Sequence, residues 1–547
     1  EGTCPSSIFL SSLDPGVGKT LTLVEFVRQI VASSDHDHVG VILFLSRLDE
    51  IERLVKDAGL QEHDFAVWTS DKDVNLLSST QRRQAQILFT TQQMLVTRCS
   101  GQSFEECPDF HYQGSPRRVR AWDETLEPGK VVTLSSDELG GLPEIFRYLA
   151  PALADTLQEF HRHLTTSATK SVLRVPVFDD HLLKKVIMNG VDVDKKRRLE
   201  KLRALSGRAV QVLDGMGNQR IALDVRDALP SDIAPLLVLD ASGRVRQTYR
   251  YWEKHRGGLT RLRPASKSYS PLTIQVLDQG SAKDSWQRNG NLLAMEVATL
   301  IDSKPDEPWL VIHHKDARQV DPKASILREV QTDHSRVHFL HWGAHQATNA
   351  FKEIPNVILA GTYALPESQY IGLAHASTGI PVGDNLPNDL VNEIRLGEHG
   401  HNILQGLCRA SVRGSLGSRC RPCNAYIIAA KGSGIREALP TWFPGCKVKT
   451  WRPHHKSLQG KVKDAVEYLK RCLVADPTIA ITFSKLMAVL RISNKSNFNR
   501  TIRKHEDFKE AIEALGLEEV TIGPGRYLNA LRPVWDPDPD GDYIADV

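Results

Sequence analysis

Leu13 to Thr20 read Leu-Asp-Pro-Gly-Val-Gly-Lys-Thr. A glycine-rich loop of this type, placed between a strand and a helix, turns backbone N–H groups toward a phosphate. Lys19 then reaches the outer phosphates, and the Thr20 hydroxyl is a Mg²⁺ ligand. Asp14, Pro15, Gly16, Val17 and Gly18 form the wall of the loop. The full phosphate-loop pattern has glycine where this chain has Leu13, but the closing Gly-Lys-Thr is the part that touches phosphate. Such a site needs an acid on a neighbouring strand, and Val119 to Glu124 (Val-Arg-Ala-Trp-Asp-Glu) supplies two. Asp123 is placed to hold Mg²⁺ through water, and Glu124 to orient and deprotonate an attacking water. Far along the chain, Gln405, Arg409 and Arg413 recur every four residues. On a helix they share one face, and arginines there can stabilise charge developing on a transferred phosphoryl group.

The elements around these residues predict how they are positioned. Ser7–Leu10 is a short apolar run before the loop, and Leu23, Phe26, Val27, Ile30 and Val31 recur at helical spacing after it. Val39–Ser46 and Gln86–Leu95 are further strand candidates, each followed by a polar turn and a helical pattern. Alternation of this kind predicts an α/β fold with a parallel, doubly wound sheet, whose ligands sit at the carboxyl ends of the strands.

In order and separation these motifs resemble those of a superfamily 2 helicase of the DEAD/DEAH-like group. Asp14–Thr20 resembles motif I and Asp123-Glu124 motif II, while Leu43–Glu50 and Ile87–Met94 fall where the family keeps its DNA-contacting motifs. Asp240-Ala241-Ser242 sits where the family's Ser-Ala-Thr motif couples hydrolysis to strand movement. Glu307–Ala317 resembles motif IV, Thr348-Asn349 with Val357–Gly361 motif V, and Gln405–Arg413 motif VI. The resemblance implies two RecA-like lobes with ATP and Mg²⁺ between them and a finger at either Arg409 or Arg413. It also implies strand contacts at Thr90, Thr348 and Asn349. ATP rather than GTP rests on the resemblance alone. The expected domains are a first lobe over 1–256 with a helical insert over about 140–225, a connecting segment over 257–303 and a second lobe over 304–435.

Past Gly445 the character changes. Helical patterns with a short polar turn (Ser493–Ser496) predict a helix-turn-helix or winged-helix-like module over 450–535, with Arg500, Arg503 and Lys504 facing DNA. Between Thr478 and Trp535 nine Lys and Arg stand against six Asp and Glu, so the module is locally basic. Residues 536–547 are acidic and expected to be disordered. In the insert, Ser135 and Glu138 are spaced as a capping box, and Lys195–Arg208 reads as a basic amphipathic helix.

The 547 residues carry a net charge of only +3, which excludes a chain-wide polyelectrolyte, and no apolar run has membrane-spanning length. Eight cysteines in so long a chain indicate reduced thiols and a cytoplasmic protein. Cys408, Cys420, Cys423 and Cys446 are too irregularly spaced to predict zinc. The expected partner is DNA, with RNA possible, and the expected state is a monomer. The compact form with a DNA-reading tail resembles helicase-like proteins of phages, prophages and plasmids. Two alternatives stay open: a duplex translocase that never separates strands, and an ATP-switched DNA-binding regulator with slow hydrolysis.

Overall fold

The computed structural model describes residues 4–534, except 100, 189–190, 316, 318, 345–349, 453–459 and 525–526. Thr348, Asn349 and the acidic stretch 536–547 lie outside the described residues. The chain divides into two compact units, Glu1–Trp451 and Arg452–Val547.

The first unit holds two RecA-like α/β lobes, each on a wholly parallel sheet. In the first lobe the strands are β1 (Ile8–Ser11), β2 (Val41–Leu45), β3 (Phe65–Trp68), β4 (Ile87–Thr91) and β5 (Val119–Asp123), with β10 (Leu236–Leu239) and β11 (Leu259–Arg261) after the insert. Their spatial order is β11-β1-β10-β5-β2-β4-β3. β2 is buried at every position, as an apolar strand covered by helices on both faces must be. Apolar clusters fill both faces of this sheet.

The helix after the phosphate loop, α1 (Lys19–Val31), buries Leu23, Val24, Val27 and Ile30. Phe26 stays 39% exposed, so the buried face is rotated toward Val24 from the one its apolar spacing suggests.

The second lobe starts earlier than its motifs indicate. Its strands are β12 (Leu272–Asp278), β13 (Trp309–His313), β14 (Val337–His341), β15 (Asn356–Leu359), β16 (Cys423–Ala429) and β17 (Lys447–Thr450), in the order β14-β13-β15-β16-β12-β17. The segment 257–303 is therefore no simple connection. β11 joins the first sheet at its edge, while β12 lies inside the second and is followed by a helix over Lys283–Asp302. β12 pairs along its whole length with β16; it is a structural strand that carries no polar motif, so nothing in its residues marks it as the lobe's opening. The lobe also runs past 435, since β17 closes its sheet.

The insert is larger and less helical than its sequence suggests. It contains an antiparallel sheet of β6 (Lys130–Ser135), β7 (Val172–Arg174), β8 (Ala209–Asp214) and β9 (Arg220–Arg226), ordered β6-β9-β8-β7. Leu157, Phe160 and Leu164 of the helix over Pro151–Thr166 pack on it, whereas Leu149 is exposed. The capping box forms: Ser135 Oγ accepts from Glu138 N–H at 3.1 Å and Glu138 Oε2 accepts from Ser135 N–H at 3.0 Å. On the basic helix, Lys195, Lys201 and Arg203 are paired with Asp192, Glu138 and Asp180. Among the described residues no helix is long and apolar enough to cross a membrane.

Two helices of the second lobe, α2 (Glu367–Thr378) and α3 (Asn388–Leu407), lie against the first lobe and the insert. Gly372 of α2 sits so close to Val131 that a Cβ would approach its side chain to 2.3 Å.

The second unit carries α4 (Gly460–Ala475), α5 (Phe483–Val489), α6 (Lys495–Phe498) and α7 (Glu506–Ala514) around one apolar cluster. β18 (Ile481–Thr482), β19 (Leu517–Val520) and β20 (Ala530–Pro533) form an antiparallel sheet ordered β18-β20-β19. The helical apolar pattern over 497–516, with Phe498, Ile502, Phe508, Ile512 and Leu515 on one face, predicts one helix, but the structure breaks it. A wide π-turn over Asn499–Arg503 follows α6, and His505 caps α7 anew by accepting from Asp507 N–H.

Candidate nucleotide-hydrolysis site

The carboxyl ends of β1, β5 and β10 bring the phosphate loop, the acid pair and Asp240 to one cleft, and α3 covers it from the second lobe. Adjacent parallel strands place their following loops side by side, so residues distant in sequence meet there.

Gly16 and Gly18 have φ of +80° and +99°, the left-handed region open to glycine. A Cβ on Gly16 would lie 2.0 Å from the Arg413 carbonyl oxygen. That contact is a close approach of the second lobe's backbone to the loop. α1 begins at Lys19, so its first amides face the loop's concave side. The Lys19 ammonium donates to the Leu13 and Asp14 carbonyls. Burial lowers its pKa, partly offset by Glu124, Asp240 and Asp123. Asp14 differs from the other loop residues: its buried carboxylate accepts from Arg244 Nε at 2.8 Å, Lys267 N–H at 3.0 Å and the Tyr269 hydroxyl at 3.0 Å. The Asp14 side chain thus fastens the loop to the protein behind it and does not face the cleft.

Asp123 ends β5 and Glu124 follows with φ +74°. That conformation costs an L-residue on the order of 1–2 kcal/mol, and residues held this way cluster at functional sites. Burial, then Glu124 and Glu50, push the Asp123 carboxyl up to about 8; burial and Asp240 raise Glu124 as well. Two crowded, half-buried carboxyls supply hard oxygen donors of the kind that Mg²⁺ takes.

The shift of Asp123 has a consequence for stability. Its folded pKa of about 8 exceeds the ordinary 3.8, so the folded state binds more protons between those values and loses stability as pH rises through the interval. Asp123→Asn is expected to stabilise the nucleotide-free, metal-free protein at pH 8 by on the order of 1–2 kcal/mol, allowing for solvent at the cleft. The gain should vanish below pH 4. Thermal melts of both proteins across this range in EDTA provide the check, and a gain independent of pH would contradict the assignment.

One face of α3 meets the acid end of the first lobe at three levels. Glu398 accepts from Arg246 Nε at 2.8 Å and Nη2 at 3.0 Å, and Nη2 also donates to Glu127 at 3.0 Å. One turn on, His401 Nδ1 lies 2.7 Å from Ser242 Oγ. Next, Gln405 Nε2 donates to Glu124 Oε2 at 3.4 Å. Ser242 donates to Asp240 through its N–H and hydroxyl, and the Tyr249 hydroxyl donates to the other Asp240 oxygen at 2.9 Å. Burial and Arg246 lower His401 to about 4, so its ring is neutral. Burial alone would raise Asp240, but the Arg246 charge and the hydrogen bonds from Ser242 hold it below the usual carboxylate range.

The ladder corrects the helical reading of 405–413. α3 ends at Leu407 and Arg413 stands on a separate 3₁₀ turn (Ser411–Arg413), so Gln405, Arg409 and Arg413 do not share a helix face. Arg409, buried, donates from Nη2 to Gln405 Oε1 at 2.9 Å. The residues that the sequence reading passes over, Glu398 and His401, stand at i and i+3 to Gln405's i+7, a spacing that marks one face.

Two nucleic-acid expectations fail. Thr90 is fully buried and its hydroxyl donates to the Trp68 carbonyl at 2.6 Å, because it points into the sheet and not to its end. Arg503 is held by Glu519 at 2.9 Å and stacks 4.6 Å over the Phe483 ring. Arg500 and Lys504 are exposed. Cys408, Cys420 and Cys423 are buried in the core of the second lobe.

No family profile matches the chain and no curated protein is similar to it. Solved structures of similar chain path include Xpd4 of S. tokodaii at 13% identity, covering 81% of this chain and 96% of that one, with a TM-score of 0.46. An apo XPD structure covers 82% and 97% at 13% identity, TM-score 0.48. Dbp5 of S. cerevisiae, solved bound to RNA and ADP BeF3, covers 86% and 90% at 9% identity, TM-score 0.35.

Proposed function

We propose that the chain is a nucleic-acid-dependent ATPase of superfamily 2 helicase type, acting on DNA, with the second unit as a winged-helix DNA-binding module. The observation that carries the reading is the meeting of both lobes at Glu124, where Gln405 of the second lobe bonds the acid that follows β5. A bare phosphate loop serves many ends; an acid poised beside it and touched from a second RecA-like lobe serves hydrolysis between lobes.

The phosphate loop amides and Lys19 hold the ATP phosphates. Thr20 and Asp123 would hold Mg²⁺, which when bound neutralises phosphate charge. Glu124, its pKa raised by burial and by Asp240, takes the proton from the attacking water, and Gln405 holds Glu124 in place. Arginine from the 409–413 turn offsets charge on the phosphoryl oxygens. The bonds from Arg246 and Ser242 to α3 carry the change at the acid pair to the second lobe, so that hydrolysis shifts the lobes and any strand bound across them. Two lobes followed in sequence by a DNA-reading module fit a phage, prophage or plasmid element.

In the second unit the helices α4 to α7, followed by the β19–β20 hairpin, support the winged-helix reading, with Arg500 and Lys504 exposed. Arg500→Ala should weaken DNA binding and lower the salt slope by about 1, leaving the melting temperature unchanged. Arg503→Ala, which breaks an internal pair, should lower the melting temperature instead. Fluorescence anisotropy at several salt concentrations, with parallel melts, separates the two.

Steady-state ATP hydrolysis with no nucleic acid, single-stranded DNA, duplex DNA and RNA tests the function. Many-fold stimulation by DNA that Lys19→Ala abolishes is the expected result. ATP binding without turnover on every nucleic acid would replace the motor with an ATP-switched DNA-binding regulator. Stimulation by duplex without displacement of a labelled strand would indicate a translocase.

A further inference from the structure

Between β11 and β12 the chain crosses from one lobe to the other, and Lys267 lies in that crossing. It is buried, 5% exposed, yet makes no salt bridge among the described residues. Its ammonium instead donates to three backbone carbonyls: Pro15 at 3.0 Å in the phosphate loop, and Val412 at 2.8 Å and Arg413 at 2.7 Å in the arginine-bearing turn. A buried lysine with three donors is satisfied only if all three acceptors stay in place. The surrounding chain repeats the stitch. Asp14 accepts from the Lys267 N–H and donates its own N–H to Ala265, while Ser268 exchanges backbone bonds with Ser418 and Cys420. The Gly16 approach to the Arg413 carbonyl completes a contact in which loop, crossing and turn touch one another directly.

We infer that Lys267 is a positioning residue for hydrolysis: its ammonium clamps the phosphate loop to the 412–413 backbone and so fixes the reach of Arg413 toward the phosphates. Its three donors are taken up by backbone carbonyls, so it acts through the groups that it positions. The inference rests on the ATPase reading and goes beyond it, because the two halves of the site are then tied through the lobe crossing as well as through bound ATP. Bonds from an ammonium to buried carbonyls belong to the strong class, and a misplacement of about 1 Å in a catalytic group can cost about 100-fold in rate.

The test compares the full-length wild type with Lys267→Met and Lys267→Arg. Methionine keeps the stem and removes all three donors; arginine keeps charge and donors. Lys267→Met is expected to lower kcat by about 10–100-fold with KM for ATP and affinity for a fluorescent ADP changed less than about threefold, and Lys267→Arg to recover most of kcat. Hydrogen–deuterium exchange gives a readout independent of turnover. In Lys267→Met the amides of 13–18 and 411–414 should exchange faster together, with β2 unchanged as a control for folding, and Lys267→Arg should restore protection. Wild-type kcat in Lys267→Met, or parallel loss of ADP affinity and kcat, would overturn the inference, as would faster exchange in only one of the two segments. If wild type binds ADP but hydrolyses no ATP, the ATPase reading fails and the catalytic role inferred for Lys267 fails with it; the exchange data then decide only whether the clamp exists.

Discussion

Glu124→Gln is expected to lower kcat by about 10²–10⁴-fold with ATP affinity held within a few-fold. The amide keeps size and the hydrogen bond partner of Gln405, but it cannot take a proton. Glu124 is held at φ +74° and crowded by Asp240, so the folded protein maintains both an awkward backbone and a raised carboxyl pKa. Neither is required by packing alone, since the residue lies at the cleft and not in the core. Removing the charge should also relieve crowding, so the variant is expected to be at least as stable as wild type. Steady-state kinetics, equilibrium binding of a fluorescent ATP analogue and a thermal melt address the three parts. A variant turning over within a few-fold of wild type would remove Glu124 from the role of base.

The readability of this chain depended on whether an element carries chemistry. β1, β5 and the loops after them are marked by residues that few other sites need, Gly-Lys-Thr and Asp-Glu, and their placement at strand ends follows from the parallel fold. β12 does its work by burial alone, so its residues resemble any apolar run, and the opening of the second lobe was correspondingly displaced. The insert sheet illustrates a different limit. β8 and β9 are strands of ordinary composition between strongly helical, charged stretches, and the antiparallel pairing that stabilises them with β6 is a long-range fact that local periodicity does not encode.

At the site itself, arginines at four-residue spacing suggested a helix, yet the helix stops at Leu407. Glu398, His401 and Gln405 carry the real helical face, and their types are legible only once their partners Arg246, Ser242 and Glu124 are known. Thr90 shows the converse. A hydroxyl at a strand's end looks available, but the pleat alternates sides, and here the Thr90 hydroxyl satisfies the Trp68 carbonyl.

Arg413→Ala is expected to lower kcat by about 10³-fold or more, the scale of losing an arginine finger, and to exceed the effect of Arg409→Ala. The two arginines stand differently. Arg409 is buried and its guanidinium is engaged with Gln405 Oε1 and the Gln405 carbonyl, which suits a residue that aligns Gln405 on Glu124. Arg413 is half-buried, on the turn that touches Gly16, and its charge acts on Lys19. On the proposed reading, a guanidinium whose charge is felt at Lys19 is placed to act on the phosphates as well. The discriminating measurement is affinity for ADP with aluminium fluoride, which mimics the transferring phosphoryl group, against affinity for ADP alone. Arg413→Ala should lose the first and keep the second, and Arg413→Lys should recover little because an ammonium lacks the planar fork. Arg409→Ala should lower kcat through Gln405, so that adding Gln405→Ala to it costs little more. If instead Arg409→Ala abolishes the fluoride complex and Arg413→Ala preserves it, the finger is Arg409 and the turn carrying Arg413 serves only to pack against the phosphate loop.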